Sequence, residues 1–393
     1  MSDYVRYAAT GEYPKQGRSS PALSRLDIEL TERCDNNCAH CYIRVPQDDV
    51  DARRREMSTE QVKAVLSEAA DLGAMNVRFT GGEPLIREDF AELYLFARRL
   101  GLSVTLFTNA RGISAEIADL LAHVPPRELV EVSVYGMSQK TYDATARCPG
   151  AYEQFRRGVE LLLERGVPFV VKGPLLPGLA EEVVEFEEWA ATLPSMSRPP
   201  GYSMLFDLRV RRDALDPVSE RCNELVGRLR PSPAEAVSFL SRDREDYLKR
   251  MRAFCTSYVN SSGGRLFPCG AGRIPCVDAY GRVQACLLLR DPETTSEFVG
   301  QPGGLRHALE EVFLPLRERR ATNPEYLRRC ARCCLKSLCE QCPAKSWAET
   351  GTLDTPVEYF CAVAHEQARD LGLLAPGEQA WTVTDWEDRV KGL

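Results

Sequence analysis

Three cysteines crowded onto one short loop constrain this chain more than any other feature. Cys34, Cys38 and Cys41 lie in Thr-Glu-Arg-Cys-Asp-Asn-Asn-Cys-Ala-His-Cys, a CxxxCxxC spacing directly after the apolar run at 26–31. Thiolates are soft ligands, and three on one loop can hold iron or zinc without help from distant chain. The spacing supplies three ligands, whereas a cubane iron–sulfur cluster has four irons, so one iron is left open to an outside molecule. Catalytic metal sites generally keep such an open position. For the triad alone, a zinc site or three unconnected thiols is the competing reading.

A second cysteine group fills the last third of the chain. Cys269 and Cys276 precede Gly281 and Cys286; Cys330, Cys333, Cys339 and Cys342 then form CxxCx5CxxC, and Cys361 follows alone. A bare CxxC…CxxC reads as a zinc ribbon, and the upstream triad weakens that reading here. Cys148, Cys222 and Cys255 lack ligand-spaced neighbours and are expected to be buried structural thiols. Cys334, next to Cys333, leaves the choice of ligand between those two open. Residues 1–23 carry no apolar signal segment, so the 15 cysteines point to a reducing, cytoplasmic setting and to metal rather than disulfides. No stretch nears the ~18 apolar residues that span a membrane. A net charge of −7 without a dense basic run argues against nucleic acid.

The first two-thirds alternate short apolar runs with helical periods. Strands are expected at 26–31, 76–80, 103–108, 130–135, 167–172 and 202–208. Helices are expected from Ser58 to Gly73, and at 89–100, 114–122, 152–165 and 180–192. Ser58 and Gln61 have capping-box spacing, and Gly73, Gly101 and Gly166 stand where helices stop. Such alternation implies an α/β fold with a parallel sheet and right-handed crossovers. Residues at the C-terminal strand ends should then line the site, as in full barrels. The 393 residues leave room for a further domain.

Taken together, CxxxCxxC, Gly81-Gly82-Glu83-Pro84 at the end of the second strand and the C-terminal cysteine order resemble radical S-adenosylmethionine (SAM) enzymes with a SPASM extension. The resemblance runs over residues 24–365. It implies a partial (β/α)6 TIM-like barrel followed by a cysteine-rich SPASM domain that binds two auxiliary iron–sulfur clusters. The expected divisions are an N-terminal extension at 1–23, a radical SAM core at 24–235, a bridging region at 236–268, the SPASM domain at 269–365 and a tail at 366–393. Three four-iron clusters are implied. Cys34, Cys38 and Cys41 would hold the one that binds SAM. Family ligation is interleaved, implying Cys269, Cys276, Cys286 and Cys342 for one auxiliary cluster, and Cys330, Cys333, Cys339 and Cys361 for the other.

For SAM itself, the resemblance implies Gly81 and Gly82 for close approach, Glu83 for the ammonium, Ser133 for the ribose and Arg147 for the carboxylate. His40 would set its backbone near the adenine and shield the cluster; Asn109 and Leu208 are further candidates. Tyr135 departs from the family pattern, where an Asp is usual. Asp207, Arg209 and Asp278 are expected to be structural charges. The implied chemistry is reductive SAM cleavage and hydrogen abstraction from a substrate C–H bond, with flavodoxin or ferredoxin as electron donor.

SPASM enzymes largely modify peptides, so a ribosomally made precursor peptide is the expected substrate. A small-molecule enzyme acting on an aminocyclitol, sugar or tetrapyrrole is the alternative. Leu287 after Cys286 replaces the Asp of sulfatase maturases and argues against that activity. The cluster loop begins by residue 34, which leaves no room for a leader-binding domain, so a separate leader-binding protein or direct docking is expected. The tail, with Trp381 and Trp386, reads as a packed or frayed terminal segment.

Overall fold

The computed structural model describes residues 23–204, 224–225, 227–257, 263–297 and 303–393. Leu208, Asp207, Arg209 and Cys222, which the sequence singled out, lie outside the described residues. Among the described residues no helix is long and apolar enough to cross a membrane.

Six parallel strands carry the first half of the fold: β1 Arg25–Thr31, β2 Asn76–Gly81, β3 Ser103–Thr108, β4 Arg127–Ser133, β5 Phe169–Pro174 and β6 Gly201–Ser203. Neighbours in sequence are neighbours in space, in the order β1-β2-β3-β4-β5-β6, with parallel registers such as Leu26↔Val77, Leu106↔Val130 and Val132↔Val171. The helices between them include α1 Thr59–Asp71, α2 Phe90–Arg99, α3 Ala115–His123, α4 Gln139–Ala146, α5 Ala151–Glu164 and α6 Val183–Ala191. The Ser58/Gln61 capping box forms as its spacing predicts.

Two expectations are corrected. The single helix at 180–192 is two, Pro177–Glu181 and Val183–Ala191, broken at Glu182. The break aims the Glu182 carboxylate at Met137 N, Ser138 Oγ and Thr141 Oγ1, at 2.6, 2.8 and 2.7 Å. Helix α4 was not foreseen at all. Eight residues with no clear apolar stripe gave no periodic signal, although Ser138 caps its start by accepting from Thr141 N.

Side chains alternate across the sheet, and the two faces differ sharply. Leu26, Ile28, Leu30, Val77, Phe79, Val104, Leu106, Val130 and Val132 are fully buried on one face. Phe79 meets Phe90 of α2 there, with ring centroids 6.4 Å apart, so this is the face the helices cover. The opposite face is polar. Asp27 pairs with Arg78, and Glu131 with Lys172; both cations lie over the Phe107 ring, at 4.8 and 3.7 Å. A full TIM barrel fills its interior with branched apolar side chains, which this one does not.

The free edge of β1 is also occupied. A strand β7, Cys276–Val277, pairs with it in parallel (Asp27↔Cys276), and a hairpin adds β8 Arg282–Gln284 and β9 Thr295–Glu297. The result is one nine-stranded sheet. An edge strand offers a row of unpaired backbone groups that another strand can satisfy, and Asp27 N donates to Pro275 O at 3.0 Å. Asp278 belongs to this hairpin, where its buried carboxylate accepts from Tyr280 N, Arg282 N and Arg282 Nε at 3.0, 2.9 and 2.7 Å.

By compactness the chain divides into two units. One comprises the sequence up to Ser203 with Ala271–Leu287 and Glu293–Leu314; the other comprises Met204–Gly270, Leu288–Pro292 and Pro315–Leu393. The break therefore does not follow the linear boundaries expected from sequence, because the hairpin carrying Cys276 completes the first unit's sheet. In the second unit, helices Arg244–Ser257 and Glu358–Asp370 flank a core that includes Tyr247, Cys255, Leu335, Ala368, Ala380, Trp386 and Val390. The C-terminal segment is packed, since Trp386 and Val390 are buried in that core.

Candidate active site

The cysteine loop leaves β1 and is clamped from several sides. Arg33 grips Glu56 through Nε and Nη2 at 2.8 and 3.1 Å and Gln47 O at 2.7 Å. Asn37 N and Ala39 N donate to Ala146 O and Thr145 O of α4, both at 2.9 Å. Arg111 Nη1 donates to Asp35 O and to Asn36 Oδ1, and lies 3.4 Å from the Asp35 carboxylate. Asn109 Nδ2 donates to Asp35 Oδ1 at 2.7 Å. Within the loop, Asn36 N donates to Cys34 Sγ and Ile43 N to Cys41 Sγ, each at 3.4 Å. Bonds of this kind hold a sulfur in place for a metal.

The Gly81-Gly82-Glu83 run sits directly under this loop. Gly82 N and Glu83 N donate to Thr31 O and Arg33 O at 2.8 and 2.9 Å. A Cβ on Gly82 would stand 2.1 Å from Arg33 O, and one on Gly81 2.0 Å from Thr31 O. The close approach these glycines permit is thus with the strand that carries the cysteines. Glu83 is buried, accepting from Thr108 Oγ1, Asn109 N and Leu85 N at 2.8, 2.7 and 3.2 Å. Burial, reinforced by the nearby Asp35 carboxylate, pushes its carboxyl up to about 8 despite those three bonds.

Electrostatics sharpen the picture. Burial holds the Cys34 and Cys38 thiols well above the ordinary range; Glu83 and Asp35 push Cys34 the same way, and Cys41 does so for Cys38. The Cys34 and Cys38 thiols and the buried Glu83 carboxyl form a pocket that is costly to ionise without a further cation. Such a donor set fits iron together with a cationic ligand. No three metal-binding side chains among the described residues converge to single-ion distance, and a cubane does not require this, since each cysteine binds a different iron.

Of the other sequence candidates, Ser133 ends β4 opposite Lys172. Arg147 is exposed and takes the left-handed conformation that ends α4 (φ 49°). It directly follows Ala146, whose carbonyl holds Asn37, so α4 delivers it to the loop. Burial lowers His40 to about 4, leaving a neutral imidazole whose ring packs 5.8 Å from that of Tyr135. Tyr135, where the family has Asp, bonds the Cys38 thiol through its hydroxyl. Sequence reasoning missed Asp35, Asn36 and Arg111. Asp35 and Asn36 were in plain view beside Cys34, whereas nothing near Arg111 signals its role.

The second unit gathers another set of thiols. Burial pushes Cys339 up to about 12, and the neighbouring thiols of Cys333, Cys361 and Cys330 push the same way. Leu335 N donates to Cys333 Sγ at 3.4 Å. The charged neighbours of Cys334 are instead Arg389, Glu378 and Asp385, so the adjacent thiols diverge and Cys333 is the one on the shared side. Cys269 and Cys342 influence each other as well.

Residues 28–190 match the model of the Radical SAM superfamily. The chain is 28% identical over 335 residues to an AdoMet-dependent heme synthase of Methanosarcina barkeri, across 82% of this chain and 92% of that protein. It is 29% identical over 358 residues to the mycofactocin maturase MftC of Mycolicibacterium smegmatis, across 88% of this chain and 85% of the relative. The solved structure of native anSMEcpe with bound AdoMet and Cp18Cys peptide shares the fold, with a TM-score of 0.61 at 14% identity over 95% of this chain and 100% of that one.

Proposed function

We propose that the chain, whose residues 28–190 match the Radical SAM superfamily model, is a radical SAM enzyme of the SPASM type acting on a ribosomally made peptide. Cys34, Cys38 and Cys41 would hold a four-iron cluster with one iron open to SAM. When bound, that cluster supplies the electron that cleaves SAM's sulfonium to a 5′-deoxyadenosyl radical, the species that takes hydrogen from the substrate. Glu83 accepts SAM's ammonium, and the ammonium in turn stabilises the ionised carboxylate. Gly81, Gly82 and Asn109 hold the loop and Glu83 in register; Ser133 faces the ribose, Arg147 the carboxylate, and His40 and Tyr135 exclude water from the sulfurs. Leu208 remains a candidate for the SAM cleft. Two auxiliary clusters are assigned to Cys269, Cys276, Cys286 and Cys342, and to Cys330, Cys333, Cys339 and Cys361. Flavodoxin or ferredoxin is proposed as the electron donor, with the precursor recruited either through a separate leader-binding protein or by direct docking.

The observation that carries the peptide reading is the lumen. On this face Asp27 pairs with both Arg78 and Arg25, Glu131 pairs with Lys172, and buried Glu29 supplies a third carboxylate, so the cations are already matched by acids. A surface of balanced charge suits neutral hydrogen-bonding groups such as peptide amides better than a tetrapyrrole carrying several carboxylates. The similarity to MftC over most of both chains points the same way. A tetrapyrrole substrate is the second reading, favoured by the similarity to the heme synthase. The test is anaerobic turnover with SAM and dithionite, comparing short peptides encoded beside the gene with iron-coproporphyrin. A peptide that accelerates 5′-deoxyadenosine formation and loses two hydrogens supports the proposal. Deuterium transfer from the porphyrin alone overturns it.

A further inference from the structure

One sulfur in the second unit sits in surroundings that the preceding chemistry does not use. Cys361 lies in the first turn of the helix Glu358–Asp370, and Arg329 Nη2 donates to its Sγ at 3.3 Å. The guanidinium is held from three directions: Glu358 takes Nη1 and Nη2 at 2.7 and 3.0 Å, Glu325 takes Nη1 at 3.1 Å, and the Trp381 ring lies 4.6 Å from Cζ. One turn along the helix, His365 Nε2 accepts from Ala380 N at 3.2 Å. Its proton is therefore on Nδ1, which reaches Cys361 O at 2.8 Å and Cys361 Sγ at 3.5 Å. A cavity of about 370 Å³ lined by Arg329, Cys361, His365 and Trp381 opens beside the sulfur.

We propose that Arg329, backed by His365, is a positioning residue for the auxiliary cluster at Cys330, Cys333, Cys339 and Cys361, and that it raises that cluster's reduction potential. The proposal rests on the ligand assignment given above. A reduced cluster carries one more negative charge than its oxidised form. A fixed cation and N–H donors aimed at a ligating sulfur stabilise that extra electron, and hydrogen bonds to sulfur and solvent exposure are what set such potentials. Arginine suits the task because it stays charged and its planar fork can hold Glu358 and the sulfur together. Beside an open cavity, a fixed donor also keeps the sulfur's surroundings constant where mobile water would not.

The experiment is a redox titration followed by EPR, in a background where Cys34, Cys38 and Cys41 are all replaced by Ala so that only auxiliary clusters report. With Arg329→Met, one auxiliary signal should move to lower potential by at least tenfold in its reduced fraction at fixed poise, about 59 mV for one electron. The other signal should stay in place and the iron content should be unchanged. Arg329→Lys should recover part of the shift. Glu358→Gln, which loosens the anchor but keeps the N–H donor, provides a milder variant and should shift the same signal less. Full iron with unmoved potentials in the Met and Gln variants overturns the inference. A parent protein whose C-terminal cysteines take up zinc and no iron overturns the cluster assignment itself, a result visible before any Arg329 variant is made.

Discussion

Replacing Glu83 by Gln separates what this residue does for the fold from what it does for SAM. The carboxyl sits at about 8 instead of its ordinary 4.5. A carboxyl raised by folding contributes most stability when protonated, below 4.5, and that contribution is lost as pH rises through about 8. At ~1.4 kcal/mol per pH unit, an ionisable group at this position makes the SAM-free fold about 3 kcal/mol less stable at pH 7 than a neutral one would. Gln can keep two of the three hydrogen bonds and loses the one from Leu85 N at 3.2 Å. Its oxygen can accept from Asn109 N, now 2.7 Å from Glu83 Oε2, and its amide can face Thr108 Oγ1, which as a hydroxyl accepts as well as donates. The variant should therefore lie within about 1 kcal/mol of the parent near pH 5, and its stability relative to the parent should rise toward pH 8 in denaturant titrations of SAM-free protein. SAM affinity should change in the opposite sense. Loss of a charge-assisted bond worth about 1.5–3 kcal/mol weakens binding roughly tenfold to a hundredfold. A variant with unaltered SAM affinity, or one whose stability tracks the parent's at every pH, would refute the assignment.

Other expectations follow from the same geometry. Replacing Cys34, Cys38 and Cys41 together by Ala should abolish 5′-deoxyadenosine formation under dithionite while the auxiliary cysteines keep their iron; undiminished formation contradicts the SAM-cluster assignment. Gly82→Ala places a methyl 2.1 Å from Arg33 O and 2.5 Å from Glu32 O. The cysteine loop must move, at a cost of about 1–3 kcal/mol, and iron at the triad, measured with the auxiliary cysteines removed, should fall. Arg111→Met strips the partly buried Asp35, whose side chain is 11% exposed, of its ion-pair partner and should destabilise the protein by about 1–3 kcal/mol, seen as a lower denaturation midpoint with SAM cleavage reduced. Cys333→Ala should lose auxiliary iron and Cys334→Ala should not; the reverse result would exchange the two ligands.

Much of this site was legible because its ligands are close in sequence. Cys34, Cys38 and Cys41 share a loop of eight residues, and such a loop keeps its thiols together in almost any fold. Strand and helix alternation was equally local, apart from α4 and the break at Glu182, where short polar stretches carry no periodicity. Glu83 was identified from the motif around it, but its raised pKa was not, because that depends on Thr108, Asn109 and Asp35 meeting it in a water-excluded pocket. The glycines before it were expected to admit a ligand; the fold sets them against Thr31 and Arg33.

Residues that act across long stretches of chain were the ones left unseen. Arg111 holds Asp35 and Asn36 from the end of a different strand, and Arg329 reaches Cys361 across thirty-two positions. Cys276 joins β1 as a register partner of Asp27, which no spacing rule foretells. Ligand spacing, capping boxes and apolar periods are short-range properties, so the order of residues alone specified the thiolate loop, the strand–helix alternation and the resemblance to radical SAM enzymes. The clamp on that loop, the charge-balanced lumen and the divergence of Cys333 from Cys334 depended on which distant backbones pack together. Only burial could settle them, since burial decides which charges must find partners and which sulfurs point the same way.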